Sequence, residues 1–387
     1  MSNHTIPEAK FTYVSTAREM EGVVEALQQA DRIAVDTEAD SLHHYFEKVC
    51  LIQITACGSN WLVDPLAIAN LRPLMELFSN KRLMFHGCDY DLRLLRSFTG
   101  FQPNTRVFDS MIAAQLLGFE RIGLAALVER YNGVVLSKAG QKSDWSRRPL
   151  SEAQLTYAVD DTRYLEAIVE ELENELSKLG RLSWHSESCA AVVRGTAHHK
   201  EIDPDKRWRI KGLRDFNRRQ LAYVREIWRW RETIAQKTDT PAFKILTNQK
   251  ILDLAVWADE FPDRRLTDNS IPRLPRTFTG RRRDSLERAM QVARSLSEEN
   301  CPEHPKRRPP PPDKKREIDL LRTGCAKVAA DLGLEPSVIA PRAALDAIAR
   351  NLPANVSEVV EAGYLLRWQT ELLVDVIAKV APGFSRE

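Results

Sequence analysis

The sequence predicts an α/β domain built on a mixed sheet, followed by all-α modules, and three observations predict it. First, the β-rich runs IAVDTEAD, VCLIQITA and NWLVDPL follow one another from Arg32 across short polar connections, the pattern of an antiparallel meander. Second, RLMFHG returns after a helical stretch near Leu71 to Phe78, and that alternation adds parallel strands to the same sheet. Third, from about Leu213 to Ala293 the pattern is almost entirely helical.

The elements justify that class in order. After RLMFHG a helix is expected from about Tyr90, then helices in SMIAAQLLG and GLAALVERYNG. The stretch LSEAQLTYAVDDTRYLEAIVEELENELSKLG reads as one long helix, opened by a Ser151 and Gln154 capping box and ended at Gly180. Residues 190 to 211 are polar and basic and read as a connector, and turns are expected around Asp239 to Pro241 and Asn269 to Pro275. CPEHPKRRPPPPDKKRE, from Cys301 to Glu317, is a linker, because its four consecutive prolines favour extended chain and offer no core contact. Ile318 to Pro382 is again helical. The expected domains are therefore 1–190, a connector 191–211, a helical domain 212–294, a Pro- and base-rich linker 295–317, and a second helical domain 318–387.

Composition bounds the chemistry. A chain of 387 residues, 43% hydrophobic and 28% charged, is ordinary globular material too long for one core. Neither a leader-like N-terminus nor an apolar run of about eighteen residues is present, so a soluble cytoplasmic protein without membrane contact is expected. Six cysteines (Cys50, Cys57, Cys88, Cys189, Cys301, Cys325) form no C-x-x-C pair, which argues against zinc and against a secreted disulfide framework. The histidines lack metal-ligand spacing, so any metal must be held by carboxylates. Net charge is only +2, but it runs roughly −6 over residues 1–199, roughly +11 over 200–316 and roughly −3 beyond. A basic module beside an acidic one suits a polyanion held by the first and cut by cations in the second.

The acids carry the chemistry. Asp36 and Glu38 lie two apart in a strand and so point to one face. Two adjacent carboxylates repel unless a hard divalent cation sits between them. Asp91 follows the strand LMFHG at the start of a helix, where the backbone dipole favours a carboxylate and a capping role is the plain alternative. Tyr157 and Asp161 are four apart and stack on one helical face. Asp160 neighbours Asp161 too closely for periodicity to exclude it, and Asp109 reads as the cap of the helix that follows it.

Jointly, a strand D-x-E, an Asp after a later strand and Y-x-x-x-D in a later helix resemble the DEDD exonuclease superfamily. Thr156 stands where its histidine branch would need His, so the resemblance is to the tyrosine branch. KVCLIQIT, HGCDYDL, VFDSMIAAQLL and SDWSRRPLSEAQLTYAVDDTRYL are similar, in that order, to segments of the ribonuclease D family over about residues 25 to 180. Ala39 departs from the pattern, since several relatives carry an aromatic residue there.

The resemblance implies a ribonuclease H-like fold and a metal cage of Asp36, Glu38, Asp91 and Asp161, with Tyr157 as the catalytic tyrosine. It implies two Mg²⁺ ions, with Mn²⁺ as the other choice, and no organic cofactor. The stretch RWRIKGLRDFNRRQLAYVREIWRWRETIAQKTDTPAFKILTNQKILDLA resembles the HRDC module, and 318–383 looks like a more divergent copy. The implied activity is 3′ to 5′ exoribonuclease action by a monomer on RNA with a free 3′ end, notably precursor transfer RNA, releasing nucleoside 5′-monophosphates. Candidate phosphate contacts are Arg148, Lys211, Arg214, Arg218, Arg219 and Arg281, Arg282 and Arg283. A DNA-directed exonuclease and an inactive RNA-binding scaffold are the alternatives.

Overall fold

The computed structural model describes residues 10–104, 106–197, 203–266, 274, 278, 280–304 and 313–386. VCLIQITA is buried along its whole length because it forms the inside of a six-stranded sheet. The strands are β1 (Thr12–Val14), β2 (Arg32–Ala39), β3 (Val49–Ala56), β4 (Ser59–Val63), β5 (Arg82–Phe85) and β6 (Val107–Asp109), in the order β1-β4-β3-β2-β5-β6. β2, β3 and β4 make the expected antiparallel meander, while β5 and β6 add in parallel beside β2. The short edge strands β1 and β6 carry too few residues to show a period in the sequence.

Alternation along β2 sorts the two faces. Ile33 and Val35 join Leu83 and Phe85 in one core, covered by α1 (Ala17–Gln28), α2 (Arg72–Ser79) and α3 (Asp89–Thr99) through Leu27, Phe78 and Leu95. Ala34 joins Met84 and Phe108 in the other, covered by α4 (Ser110–Leu116), α5 (Leu124–Asn132) and a later helix through Ile168, Val169 and Leu172. Asp36 and Glu38 therefore share the face of Ala34.

The expected single helix over 151–179 is two, α6 (Glu152–Asp160) and α7 (Leu165–Lys178). The break escapes a periodicity reading because its residues stay in right-handed helical dihedrals, Asp161 at φ −70°, ψ −18° and Tyr164 at φ −97°, ψ −12°. What turns the chain is tertiary: Thr162 is buried and its hydroxyl lies 2.8 Å from that of Thr55 on β3. The expected connector also begins as helix, since α8 (Leu182–Ala197) continues with Val192 and Val193 packed on the first core. Residues 198–202 lie outside the described residues.

The chain divides into two compact units. One is formed by Asp40–Glu47 with Lys200–Pro309 and holds α9 (Arg218–Lys237), α10 (Ala242–Ile245), α11 (Asn248–Glu260) and α12 (Arg281–Ser295) around Leu221, Ile227, Trp230, Ile251 and Met290. Asn217 and Gln220 cap α9 reciprocally. Within this unit the backbone N–H groups of Tyr45 and Phe46 donate to Asp239, at the expected turn. Parts of the other expected turn, 267–273, lie outside the described residues, as do 305–312 of the expected linker.

The other unit gathers Met1–Ala39, Lys48–His199 and Pro310–Glu387, so the C-terminal helices pack with the sheet. These are α13 (Lys315–Leu332), α14 (Pro336–Ile339), α15 (Arg342–Asn351), α16 (Val356–Glu361), α17 (Arg367–Leu372) and α18 (Val374–Ile377). Trp184 of α8 stacks on Trp368 of α17 at 4.8 Å, the Trp368 indole donates to Ser188, and the Arg181 guanidinium donates to the carbonyls of Leu116 and Leu332. A side chain at Gly118 would stand 2.1 Å from the Gly333 carbonyl oxygen, so two chain segments touch backbone to backbone there. Among the described residues no helix is long and apolar enough to cross a membrane.

Candidate active site

Three elements converge at the C-terminal end of β2, inside the sheet. β2 supplies Asp36 and Glu38 from one face, and the end of α6 brings Asp161 over that face, where one oxygen from each of the three carboxylates lies within 4.8 Å of the others. A bulge between Glu38 and Ala39 ends the regular pairing of β2 with β3 immediately beyond these acids. Asp91 enters from the first turn of α3, only 5% exposed, and accepts a 2.6 Å hydrogen bond from the Thr37 hydroxyl. Thr37 sits between the two strand acids and points the other way, so one tripeptide serves both sides of the site. Tyr157 lies one turn before Asp161 and lines the same cleft as Asp36 and Asp161.

Burial and mutual repulsion then act on every acid. Burial, followed by Asp91, Asp161 and Glu38, pushes the Asp36 carboxyl well above the usual carboxylate range. Glu38 is pushed up to about 9 by burial and by Asp161 and Asp91. Asp161 is pushed up to about 8 by burial against the opposing hydrogen bond from Tyr157, and Asp91 to about 6 by burial against that from Thr37. Burial and the three nearest carboxylates drive the Tyr157 phenol far above its ordinary value. One buried oxygen of Asp161 has no hydrogen-bond partner among the described residues. Clustered hard oxygen donors, one of them orphaned, fit a divalent cation of the magnesium or manganese kind.

Comparison with known proteins places this geometry. Residues 11–177 match a family model described as a 3′-5′ exonuclease, and residues 220–257 match the HRDC domain. The ribonuclease D of Gluconacetobacter diazotrophicus is 30% identical over 340 residues, covering 87% of this chain and 85% of that protein. The chain belongs to the ribonuclease D family. The fold agrees: the crystal structure of Escherichia coli RNase D superposes with a TM-score of 0.71 at 22% identity, covering 96% of this chain and 98% of that one. A protein from Bifidobacterium adolescentis superposes with a TM-score of 0.79 at 21% identity over 97% of both chains. As a ribonuclease D family member the protein is a metal-dependent 3′ to 5′ exoribonuclease, with a mixed α/β exonuclease core and an HRDC domain.

Other residues singled out in the sequence take different places in this ribonuclease D fold. Asp109 caps α4 through Met111 and Ile112, and also accepts the N–H groups of Gly87 and Cys88 just before α3. Asp160 is buried and forms an ion pair with Arg163 at 2.7 Å. Arg148 spends its guanidinium internally, on Asp64 and on the carbonyls of Cys50, Trp145 and Arg147. Arg218 donates to the carbonyls of Glu299 and Cys301, Arg219 to those of Ala293 and Arg294, and Arg283 to that of Phe278. Lys211, Arg214 and Arg281 are exposed and Arg282 is partly exposed.

A cleft of about 340 Å³ opens beside the acids, lined by Asp36, Tyr157 and Asp161, by His86, which opens the HGCDYDL segment and reads from the sequence as structural, and by Lys138 and Gln141, which the sequence does not single out. Gly140 lets the loop carrying Lys138 and Gln141 lie on α6. Its φ is +114°, and a side chain there would stand 3.2 Å from the Tyr157 Cβ and from the Ala153 carbonyl. Nothing periodic marks that loop; a lone glycine between Lys138 and Gln141 is its only sequence signal.

Proposed function

We propose that Asp36, Glu38, Asp91 and Asp161 hold two divalent cations, and that Tyr157 orients the water that attacks the last phosphodiester of an RNA 3′ end. The observation that carries this reading is the cluster of Asp36, Glu38 and Asp161 at the end of β2, with Asp91 bonded to Thr37 between the two strand acids and Tyr157 one turn before Asp161. Bound there, the cations make water nucleophilic at neutral pH and neutralise the leaving 3′ oxygen. The oxygen of one water bonds to phosphorus as that water gives up a proton to solvent, the bond to the 3′ oxygen breaks and that oxygen takes a proton to become the new 3′ hydroxyl, and a nucleoside 5′-monophosphate departs from a chain shortened by one residue. A phenol is a poor base at neutral pH, and burial with the neighbouring carboxylates raises that of Tyr157 further, so its role in this reading is to position water.

The substrate we propose is RNA with a free 3′ end, precursor transfer RNA first, trimmed in the cytoplasm by a monomer. Lys211, Arg214, Arg281 and Arg282 are the phosphate contacts this reading keeps. Arg148 drops to a supporting role, since Asp64 and three carbonyls take its guanidinium, and Arg218, Arg219 and Arg283 rank behind the four, since one nitrogen of each already donates to backbone carbonyls. We also propose that 318–387 is a second, divergent HRDC-like domain. In both helical stretches a four-residue helix leads through two extended residues into a longer one: Leu246 (φ −156°, ψ 126°) and Thr247 before α11, Ala340 (φ −151°, ψ 117°) and Pro341 before α15.

The test is magnesium-dependent digestion of a transfer RNA bearing a 3′ extension, comparing the protein with Asp161→Asn. Stepwise shortening with release of mononucleotides, lost in the variant, is the expected result. Binding without shortening would make the protein a scaffold, and equal trimming of matched DNA would remove the preference for RNA.

A further inference from the structure

Gln53 is fully buried in the middle of β3, and neither its amide nitrogen nor its amide oxygen has a hydrogen-bond partner among the described residues. Buried amides are nearly always paired, and an unpaired one is costly. Leu51, two residues along on the same face of β3, is fully buried, so this face accommodates an aliphatic side chain. A glutamine here therefore calls for a partner.

The register supplies one. Gln53 stands directly opposite Asp36 in the antiparallel pairing of β2 and β3. Directly opposed residues leave the same face of a sheet, with Cβ atoms about 4.5–5.5 Å apart, within reach of an amide and a carboxylate. Two residues along the same face of β3, Thr55 meets Thr162, the residue that follows Asp161. The amide therefore lies under the site, between the strand that carries Asp36 and the turn that carries Asp161. A carboxylate offers about four acceptor sites, so that of Asp36 can take an amide donor as well as a cation.

We propose that Gln53 is a positioning residue for the cation site, its Nε2–H donating to Asp36 and fixing which carboxylate oxygen faces the cation. The proposal rests on the reading of Asp36 as a ligand. A group that orients a ligand is expected to carry a cost in the protein without cation and to return it in affinity. Stability and affinity should then move in opposite directions, which a purely structural glutamine would not produce.

The experiment compares the full-length protein with Gln53→Met, a near-isosteric apolar change, by thermal melting in EDTA and by calorimetric titration with Mg²⁺. The variant is expected to melt at or above the wild-type temperature in EDTA and to bind Mg²⁺ roughly 10- to 100-fold more weakly. A lower melting temperature in EDTA, or failure to fold, would overturn the proposal, because the amide would then be satisfied without the cation. Unchanged Mg²⁺ affinity would overturn it as well. Asp36→Asn is titrated alongside: if it binds Mg²⁺ as tightly as the wild type, the ligand assignment itself is wrong and the proposal fails with it, whereas weaker binding by Asp36→Asn with unchanged Gln53→Met sinks the proposal alone.

Discussion

Tyr157 and the four acids form one electrostatic unit, and its members respond together. Replacing Tyr157 with Phe removes the hydroxyl that we propose positions water and leaves the carboxylates in place. The turnover rate should fall by roughly 10² to 10⁴ while RNA binding stays within a few-fold, read by single-turnover digestion and by anisotropy. The raised carboxyl values also set a pH dependence. An acid whose folded value lies above its unfolded one binds more protons when folded, so stability falls as pH rises through that interval. With Asp91 at about 6, Asp161 at about 8 and Glu38 at about 9 against an unfolded value near 4, the window runs from about pH 4 to 9. In EDTA the melting temperature should drop steadily across it, and Mg²⁺ should restore the loss increasingly toward high pH. A flat profile in EDTA would contradict the crowded-carboxylate account.

At the level of elements, the site depends on how helices begin and end. Asp109 joins three segments, capping α4 while accepting the N–H groups of Gly87 and Cys88 that lead into α3 and Asp91. Asp109→Ala should therefore destabilise the protein by about 1–3 kcal/mol in urea unfolding. It should also weaken Mg²⁺ binding through Asp91, which a simple loss of a cap on α4 would not do. The break between α6 and α7 matters for the same reason: it lets Asp161 close α6 above β2 while α7 turns away to cover Ala34 and Met84.

For the whole molecule, the C-terminal helices count as part of the unit that holds the sheet. Trp368→Ala removes the stack on Trp184 and a hydrogen bond to Ser188, and should cost about 3–5 kcal/mol of that unit's stability, measured as a shift in its unfolding midpoint. Charge acts at this scale too. Removing any one of Lys211, Arg214, Arg281 or Arg282 should lower the salt slope of RNA binding by about one and weaken binding evenly across sequences. Arg148→Ala should leave the slope unchanged and lower stability instead, because its partner Asp64 is buried.

Much of this was legible in the residues. Alternation along RIAVDTEA put Asp36 and Glu38 on one face, the spacing of Tyr157 and Asp161 put them on one helical turn, and the polar gaps between β-rich runs announced the meander. These are local facts, since side-chain period and covalent spacing are properties of short stretches of chain. What lay beyond reading depends on residues distant in sequence. Thr55 decides where one apparent helix becomes two, Asp64 and three carbonyls decide that Arg148 is structural, and Gly140 decides that Lys138 faces the acids. Pairing register is of this kind as well: nothing local to Gln53 says that it stands across from Asp36. The sequence by itself determined which groups are the candidates for the chemistry. The tertiary structure alone decided which partners orient them, because register and burial are set by contacts that a one-dimensional pattern does not contain.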